Sequence, residues 1–193
     1  MQQPVLTDQQ LITSYLKGNQ HHLELLISKH KEKVFTSIYF LVKDRELAED
    51  LFQDTFIKVI NTLRSGNYNE EGKFLPWVQR IAHNLVIDYF RKNQRMRMVR
   101  DKDDFSIINN LKLMDENEQD KCIREQTHLQ LRKLIDELPY EQREVIILRH
   151  FGDMSFKEVA DATGVCINTS LGRMRYALIN LRTLIEKRKL VLR

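Results

Sequence analysis

Apolar residues recur at spacings of three and four along almost the whole chain, and strict period-two alternation is absent. That periodicity restricts the fold to packed helices. The shortage of chain breakers agrees with it. Six glycines and three prolines in 193 residues exclude a turn-rich β-sandwich, a disordered chain and a fold built on glycine loops. With 42% apolar residues, the chain can build a core.

Helix signals divide the chain. Thr7 or Asp8 can cap a short first helix. A second is expected over about 21–42. Asp44 caps a third over 45–64, whose Leu47, Ala48, Leu51, Phe52, Phe56, Val59, Ile60 and Leu63 share a face. Residues 65–72 (SGNYNEEG) are a loop by composition. A fourth helix is expected over about 74–95, with Pro76 in its first turn, where a missing N–H costs nothing. Residues 97–120 lack an amphipathic period and cluster Asp, Glu and Asn. Helices are then expected at 121–137, 141–151, 156–163 and 168–187. The expected fold is all-α, with helical domains at 1–96 and 121–193 joined by an acidic linker at 97–120.

A net charge of +4 says little until it is mapped. Residues 1–90 sum to −1, 91–100 to +5, 101–120 to −5, 121–172 to −1 and 173–193 to +6. Two basic blocks flank an acidic one. Clustered Lys and Arg can be a footprint for phosphate, although each block alone also suits a solvated helix end.

Three segments carry candidate chemistry. Ser155 and Glu158 form a capping box ahead of Phe156, and Gly164 suits the left-handed end of that helix. Ala160 lies four residues before Gly164, as a helix-turn-helix crossing requires. In the following helix, Ile167, Leu171, Met174, Leu178, Leu181 and Ile185 form the expected apolar stripe. Asn168, Thr169, Gly172, Arg173, Arg175 and Tyr176 lie on the complementary face, where they can reach base edges and phosphates. Ser170 is off the apolar pattern and Cys166 is a poor N-cap. The plainer alternative is a helical hairpin with a basic outer face.

The second segment is 73–95. Phe74, Val78, Ile81, Ala82, Leu85 and Tyr89 form its apolar face, opposite Trp77, Arg80, Asn84, Asp88 and Arg91. Aromatic, basic and amide groups on one stripe suit single-stranded nucleic acid. A core tryptophan on a charged surface helix is the plainer alternative. The third is the outer face of 44–63, with Glu46, Asp50, Gln53, Asp54, Ile57 and Lys58. It can dock a basic helix or be a solvated face.

Catalytic constellations are absent from the sequence. Six histidines (His21, His22, His30, His83, His128, His150) form no HExxH pair, and no P-loop or GxSxG occurs. They read as surface or half-buried structural residues. Cys122 and Cys166 make neither a disulfide framework nor a zinc site. No catalytic residue, cofactor or metal is expected. With no signal-peptide pattern and no apolar run of spanning length, the chain reads as soluble and cytoplasmic.

Together, DRELAEDLFQDTFIKVI, GKFLPWVQRIAHNLVIDYFRKNQR and LPYEQREVIILRHFGDMSFKEVADATGVCINTSLGRMRYALINLR resemble regions 2.2, 2.3–2.4 and 4 of the sigma-70 family of transcription initiation factors. The likeness is to the extracytoplasmic function (ECF) group. NTSLGRMRYALINLR is similar to the factors of Bacteroidetes-type bacteria. The resemblance implies a subunit that recruits core RNA polymerase to promoters. Asp50, Gln53, Asp54 and Lys58 would dock the β′ clamp coiled coil. Trp77, Arg80, Asn84, Asp88, Arg91, Lys92 and Arg95, with loop 65–72, would melt and read the −10 element. Asn168, Thr169, Ser170, Arg173, Arg175 and Tyr176 would read the −35 element. The acidic linker would thread through polymerase near the RNA path. The β flap and an anti-sigma factor are further partners that the resemblance implies. Two other classes remain on residues alone: a free helix-turn-helix regulator, and an adaptor that binds only proteins.

Overall fold

The structure is a computed structural model and describes residues 6–69, 72–97, 131 and 133–188. All regular structure among them is helical. The helices are α1 (Asp8–Leu16), α2 (Gln20–Val42), α3 (Arg45–Arg64), α4 (Phe74–Arg97), α5 (Tyr140–His150), α6 (Phe156–Thr163) and α7 (Ile167–Lys187). Residues 133–136 are also helical. Most of the helix expected over 121–137 and nearly all of the 97–120 linker lie outside the described residues. No helix among the described residues is long and apolar enough to cross a membrane.

Local chemistry sets the boundaries. Thr7 and Gln10 form a reciprocal capping box at α1. The Asp44 side chain accepts from the Leu47 N–H at α3. Ser155 and Glu158 form the expected box at α6, which ends at Gly164 with φ of 68°. A Cβ there would meet no neighbour; the glycine is needed for its left-handed backbone.

Helices α1 to α4 surround one core. Leu26, Val34, Ile38, Val59, Leu63, Phe74, Val78 and Val86 are almost wholly buried in it. A second, smaller core joins Leu134, Ile135, Leu138 and Ile146 to Ala177 and Leu181 of α7. A third joins Val145, Leu148, Met154 and Val159, and orients α6.

The two helical halves pack directly against each other. Ile147 of α5 is fully buried in the first core. The Phe40 and Phe151 rings lie 5.3 Å apart between centroids, and the Phe90 and Tyr140 rings meet edge to face at 6.5 Å. Lys33 pairs with Asp153 at 2.6 Å, and Lys73 with Glu158 at 2.9 Å. Lys43 Nζ donates to the Asp136 carbonyl at 2.9 Å. Gly152 lets the chain turn tightly after α5 beside α4. A Cβ there would lie 2.5 Å from the Leu148 carbonyl oxygen and 3.4 Å from Cγ of Gln79 in α4.

Two histidines depart from the expected surface or half-buried positions: His30 and His83 are 7% and 3% exposed. His30 Nε2 contacts Asp8 Oδ2 at 2.9 Å. Burial pulls its pKa below the ordinary 6.5, with Asp8 opposing the shift.

Glu158 ties a cap to the contact between halves. Partial burial raises its pKa, but the Lys73 ammonium and the Ser155 N–H and hydroxyl outweigh this. The net result is a fall from 4.5 to about 2. A carboxyl with a lowered folded pKa stabilises fully above its unfolded value and loses that contribution as pH falls through the folded one. Thermal stability should therefore fall between pH 4.5 and about 2. Glu158→Gln should start lower and show a shallower fall, measured by circular-dichroism melts across that range.

Candidate nucleic-acid interface

Helix α4 is amphipathic, with a buried face rotated slightly from the expected stripe. Phe74, Leu75, Val78, Gln79, Ala82, His83 and Val86 are buried. Ile81, Leu85 and Tyr89 are only half-buried. The rotation arises because α4 packs on both halves, so its second flank, bearing Gln79 and His83, is also covered. Gln79 Nε2 donates to the Lys33 carbonyl at 3.3 Å.

Arg80, Asn84, Asp88, Arg91 and Lys92 are exposed, and Trp77 is half-buried. The Arg95 side chain lies outside the described residues. Trp77 is fixed by aromatic neighbours, with the Tyr68 ring at 4.5 Å and the Phe74 ring at 5.8 Å. The loop thus brings Tyr68 against the helix. Trp77, Tyr68 and Arg80 line a cleft of about 310 Å³ with Asn67, Asn69 and Lys73, whereas Asn84, Asp88, Arg91 and Lys92 are not part of its lining. Aromatic, amide and cationic groups there can stack on a base, bond its edge and hold phosphate. Its opposite wall is unexpected: Met154, Glu158 and Asp161, from the second half.

Helix α7 corrects the expected recognition surface. Ser170 is 1% exposed and faces inward, so it cannot touch a base in this conformation. The buried face runs through Ser170, Ala177 and Leu181. Small residues at 170 and 177 let α7 approach α5 and α6 closely. Ile167, Leu171 and Leu178, expected on the apolar stripe, are instead 46%, 43% and 47% exposed. Asn168, Thr169, Arg175 and Tyr176 do face outward. Cys166 precedes the helix without a capping hydrogen bond from its side chain to the backbone.

The Ser170 hydroxyl has no hydrogen-bond partner. A buried unsatisfied hydroxyl is destabilising. Ser170→Ala should therefore raise unfolding stability by about 1 kcal/mol, read by denaturant melts, and leave DNA binding unchanged.

Arg173 is half-buried and turned toward the interior. Its Nη1 lies 3.7 Å from Glu144 Oε2. The other oxygen of that carboxylate accepts from His83 Nε2 at 2.8 Å, with both side chains buried. Burial pushes the neighbouring Tyr140 phenol pKa up, and the Glu144 charge adds to it. His83 and Glu144 are 61 residues apart, and no motif or period links them.

The acidic face of α3 is intact. Asp50, Gln53, Asp54 and Lys58 are exposed, beside Ile57 at 55% exposure. Arg45 and Glu49 pair nearby at 2.9 Å.

A capped helix-turn-helix and a second aromatic-basic helix are the arrangement expected of a nucleic-acid-binding protein. Comparison supplies the family. Residues 26–96 match sigma-70 region 2, and residues 128–170 match sigma-70 region 4. The ECF RNA polymerase sigma factor SigE of Mycolicibacterium smegmatis is 29% identical over 84% of this chain and 61% of its own length. Thus the chain spans about three fifths of that relative. RNA polymerase sigma-H factor of Pseudomonas aeruginosa is 26% identical over 93% and 92% of the two chains. The fold is similar to the sigma factor RpoE from Bartonella quintana, solved with the anti-sigma factor NepR. That match has a TM-score of 0.65 at 21% identity and covers 85% of this chain and 96% of that one. CnrH, solved with the cytosolic domain of CnrY, matches with a TM-score of 0.61 at 21% identity, over 93% and 97%. The chain belongs to the sigma-70 family, in its ECF group of sigma factors.

Proposed function

We propose that this chain is a promoter-specificity subunit that binds core RNA polymerase and directs initiation at a particular set of promoters. The observation carrying this reading is that one chain joins sigma-70 region 2 to sigma-70 region 4, each with an outward polar and basic helix face. Asp50, Gln53, Asp54 and Lys58 dock the clamp coiled coil of β′. The cleft around Trp77, with Arg80, Asn84, Asp88, Arg91, Lys92 and Arg95, takes the −10 element as a single strand. Asn168, Thr169, Arg175 and Tyr176 take the −35 element in the major groove, joined by Arg173 once it leaves Glu144. The 97–120 segment runs near the RNA path, and the β flap holds region 4. The setting is the cytoplasm, where core polymerase and promoter DNA meet. Regulation by an anti-sigma factor is in keeping with the NepR complex of RpoE. The likeness of the 168–182 segment to Bacteroidetes-type factors favours promoter elements of that group.

Energetics favour a subunit over a lone binder. A small helix-turn-helix with few phosphate contacts binds DNA near the non-specific range of about 10⁻⁴–10⁻⁶ M. Joining two such modules strengthens binding only where a scaffold matches their spacing to the sites, and polymerase supplies that scaffold. The test is binding to promoter fragments with and without core enzyme. The expected result is weak, salt-sensitive binding by the chain alone and sequence-specific binding with core. Tight, specific binding to duplex DNA without core would establish the free regulator instead.

A further inference from the structure

We propose that the cleft between Trp77 and Asp161 binds one free guanine mononucleotide, in competition with single-stranded DNA. The site itself stands on the cleft alone; only the competition rests on the functional reading above.

The lining defines the ligand. Tyr68 and half-buried Trp77 form an aromatic floor, with ring centroids 4.5 Å apart. Flat heteroaromatic rings stack on such a surface. The volume of about 310 Å³ is at the small end of ligand sites, which run from about 300 to 1,000 Å³. It suits a single mononucleotide.

Charge narrows the choice. Lys73, Arg80, Glu158 and Asp161 all line the cleft. Two of them are already engaged with each other: Glu158 pairs with Lys73 at 2.9 Å. Glu158 also accepts from the Ser155 N–H at 2.8 Å and hydroxyl at 2.7 Å. Arg80 and Asp161 are exposed, and among the described residues neither has a hydrogen-bond or ion-pair partner. A ligand that uses both carries an anionic end and an edge of N–H donors, joined through a flat ring.

The donor edge identifies the base. A carboxylate only accepts, through two oxygens. The Watson–Crick edge of guanine offers its N1–H and N2–H side by side, which match those two oxygens. Adenine places an acceptor, its N1, beside a single amino group, so the carboxylate meets a lone pair. Cytosine does the same with N3, and uracil offers one N–H between two carbonyls. Asp161 therefore selects guanine, Arg80 holds the phosphate, and Trp77 with Tyr68 carries the ring.

Trp77 and Arg80 also belong to the proposed −10 reader. A nucleotide seated on them occupies groups that an unpaired strand needs. Asp161 lies in α6, outside both proposed readers. It discriminates the nucleotide without contributing to strand binding, which makes it the clean position to alter.

The experiment titrates the full chain with GMP, AMP, guanosine and inorganic phosphate. Trp77 is the only tryptophan in the chain, so stacking on it is read by fluorescence quenching, with calorimetry as the independent measure. GMP should quench and saturate at one site per chain. AMP should bind at least about tenfold more weakly, the scale of losing a hydrogen bond to a charged group. Guanosine should bind about fivefold more weakly, the scale of an exposed ion pair. Phosphate alone should not quench. Asp161→Asn, with an unchanged thermal melt as control, should bring GMP down to the affinity of AMP. Saturating GMP should also displace a fluorescein-labelled oligothymidine from the wild-type chain. No saturable GMP binding, equal binding of GMP and AMP, or an unchanged preference in Asp161→Asn would each overturn the proposal. So would GMP binding that leaves the oligothymidine in place. Failure of core-dependent initiation would instead remove the functional reading, while the nucleotide titrations would still report on the site.

Discussion

Asp54→Arg should abolish recovery of core RNA polymerase with this chain. Asp54 is exposed on α3, so its replacement disturbs no core packing. Exposed substitutions of this kind change stability by only about 0.5 kcal/mol. The loss should come from the interface. Removing one member of a desolvated charge pair costs about 2–5 kcal/mol, and like charges brought together cost several more. Reversal at Asp54 should therefore weaken core binding at least about a hundredfold. Asp50 lies one turn earlier and Ile57 nearly one turn later, with Ile57 55% exposed. This is an apolar contact beside an acidic one, as a docked basic helix requires. Affinity capture with purified core, alongside an unchanged thermal melt, checks the assignment. Undiminished capture would return α3's outer face to simple solvation.

Asn84→Ala should leave core binding intact and impair promoter opening. Asn84 is exposed on α4 one turn after Arg80, which lines the cleft with Trp77. Its amide offers both donor and acceptor, which a base edge can use once unpaired. A good pair of such bonds is worth about 1–3 kcal/mol, so opening should fall about 5- to 150-fold. Permanganate footprinting of the melted region, with core capture as control, reads both effects. Normal opening would remove Asn84 from the reading surface. Trp77 is a less clean probe, because Tyr68 and Phe74 pack against it and its loss would also loosen the loop.

Much of the fold was legible in the residues, because helix ends are set by local chemistry. The Ser155–Glu158 box, the Asp44 cap and Gly164 each act within four residues, and each appears where the spacing places it. Helical periodicity found the elements but not always the inward face. On α7, counting apolar residues selected Ile167, Leu171 and Leu178, whereas small Ser170 and Ala177 face inward. Close packing favours a small side chain where helices approach, and apolar spacing carries no record of distance. The packing of the halves was not legible at all. His83 and Glu144 are ordinary polar residues in sequence and become partners only through the tertiary fold. Outward placement of Asp54, Asn84 and Arg175 agrees with the expected faces, because polar positions opposite a buried stripe remain in water.

The central claim is that the chain confers promoter choice on polymerase. The most direct measurement is run-off transcription with purified core enzyme on a pool of genomic promoter fragments, with the start sites sequenced. The account predicts new starts only when the chain is added, each preceded by the same pair of spaced sequence elements. No new starts, or starts without a shared upstream pair, would contradict it.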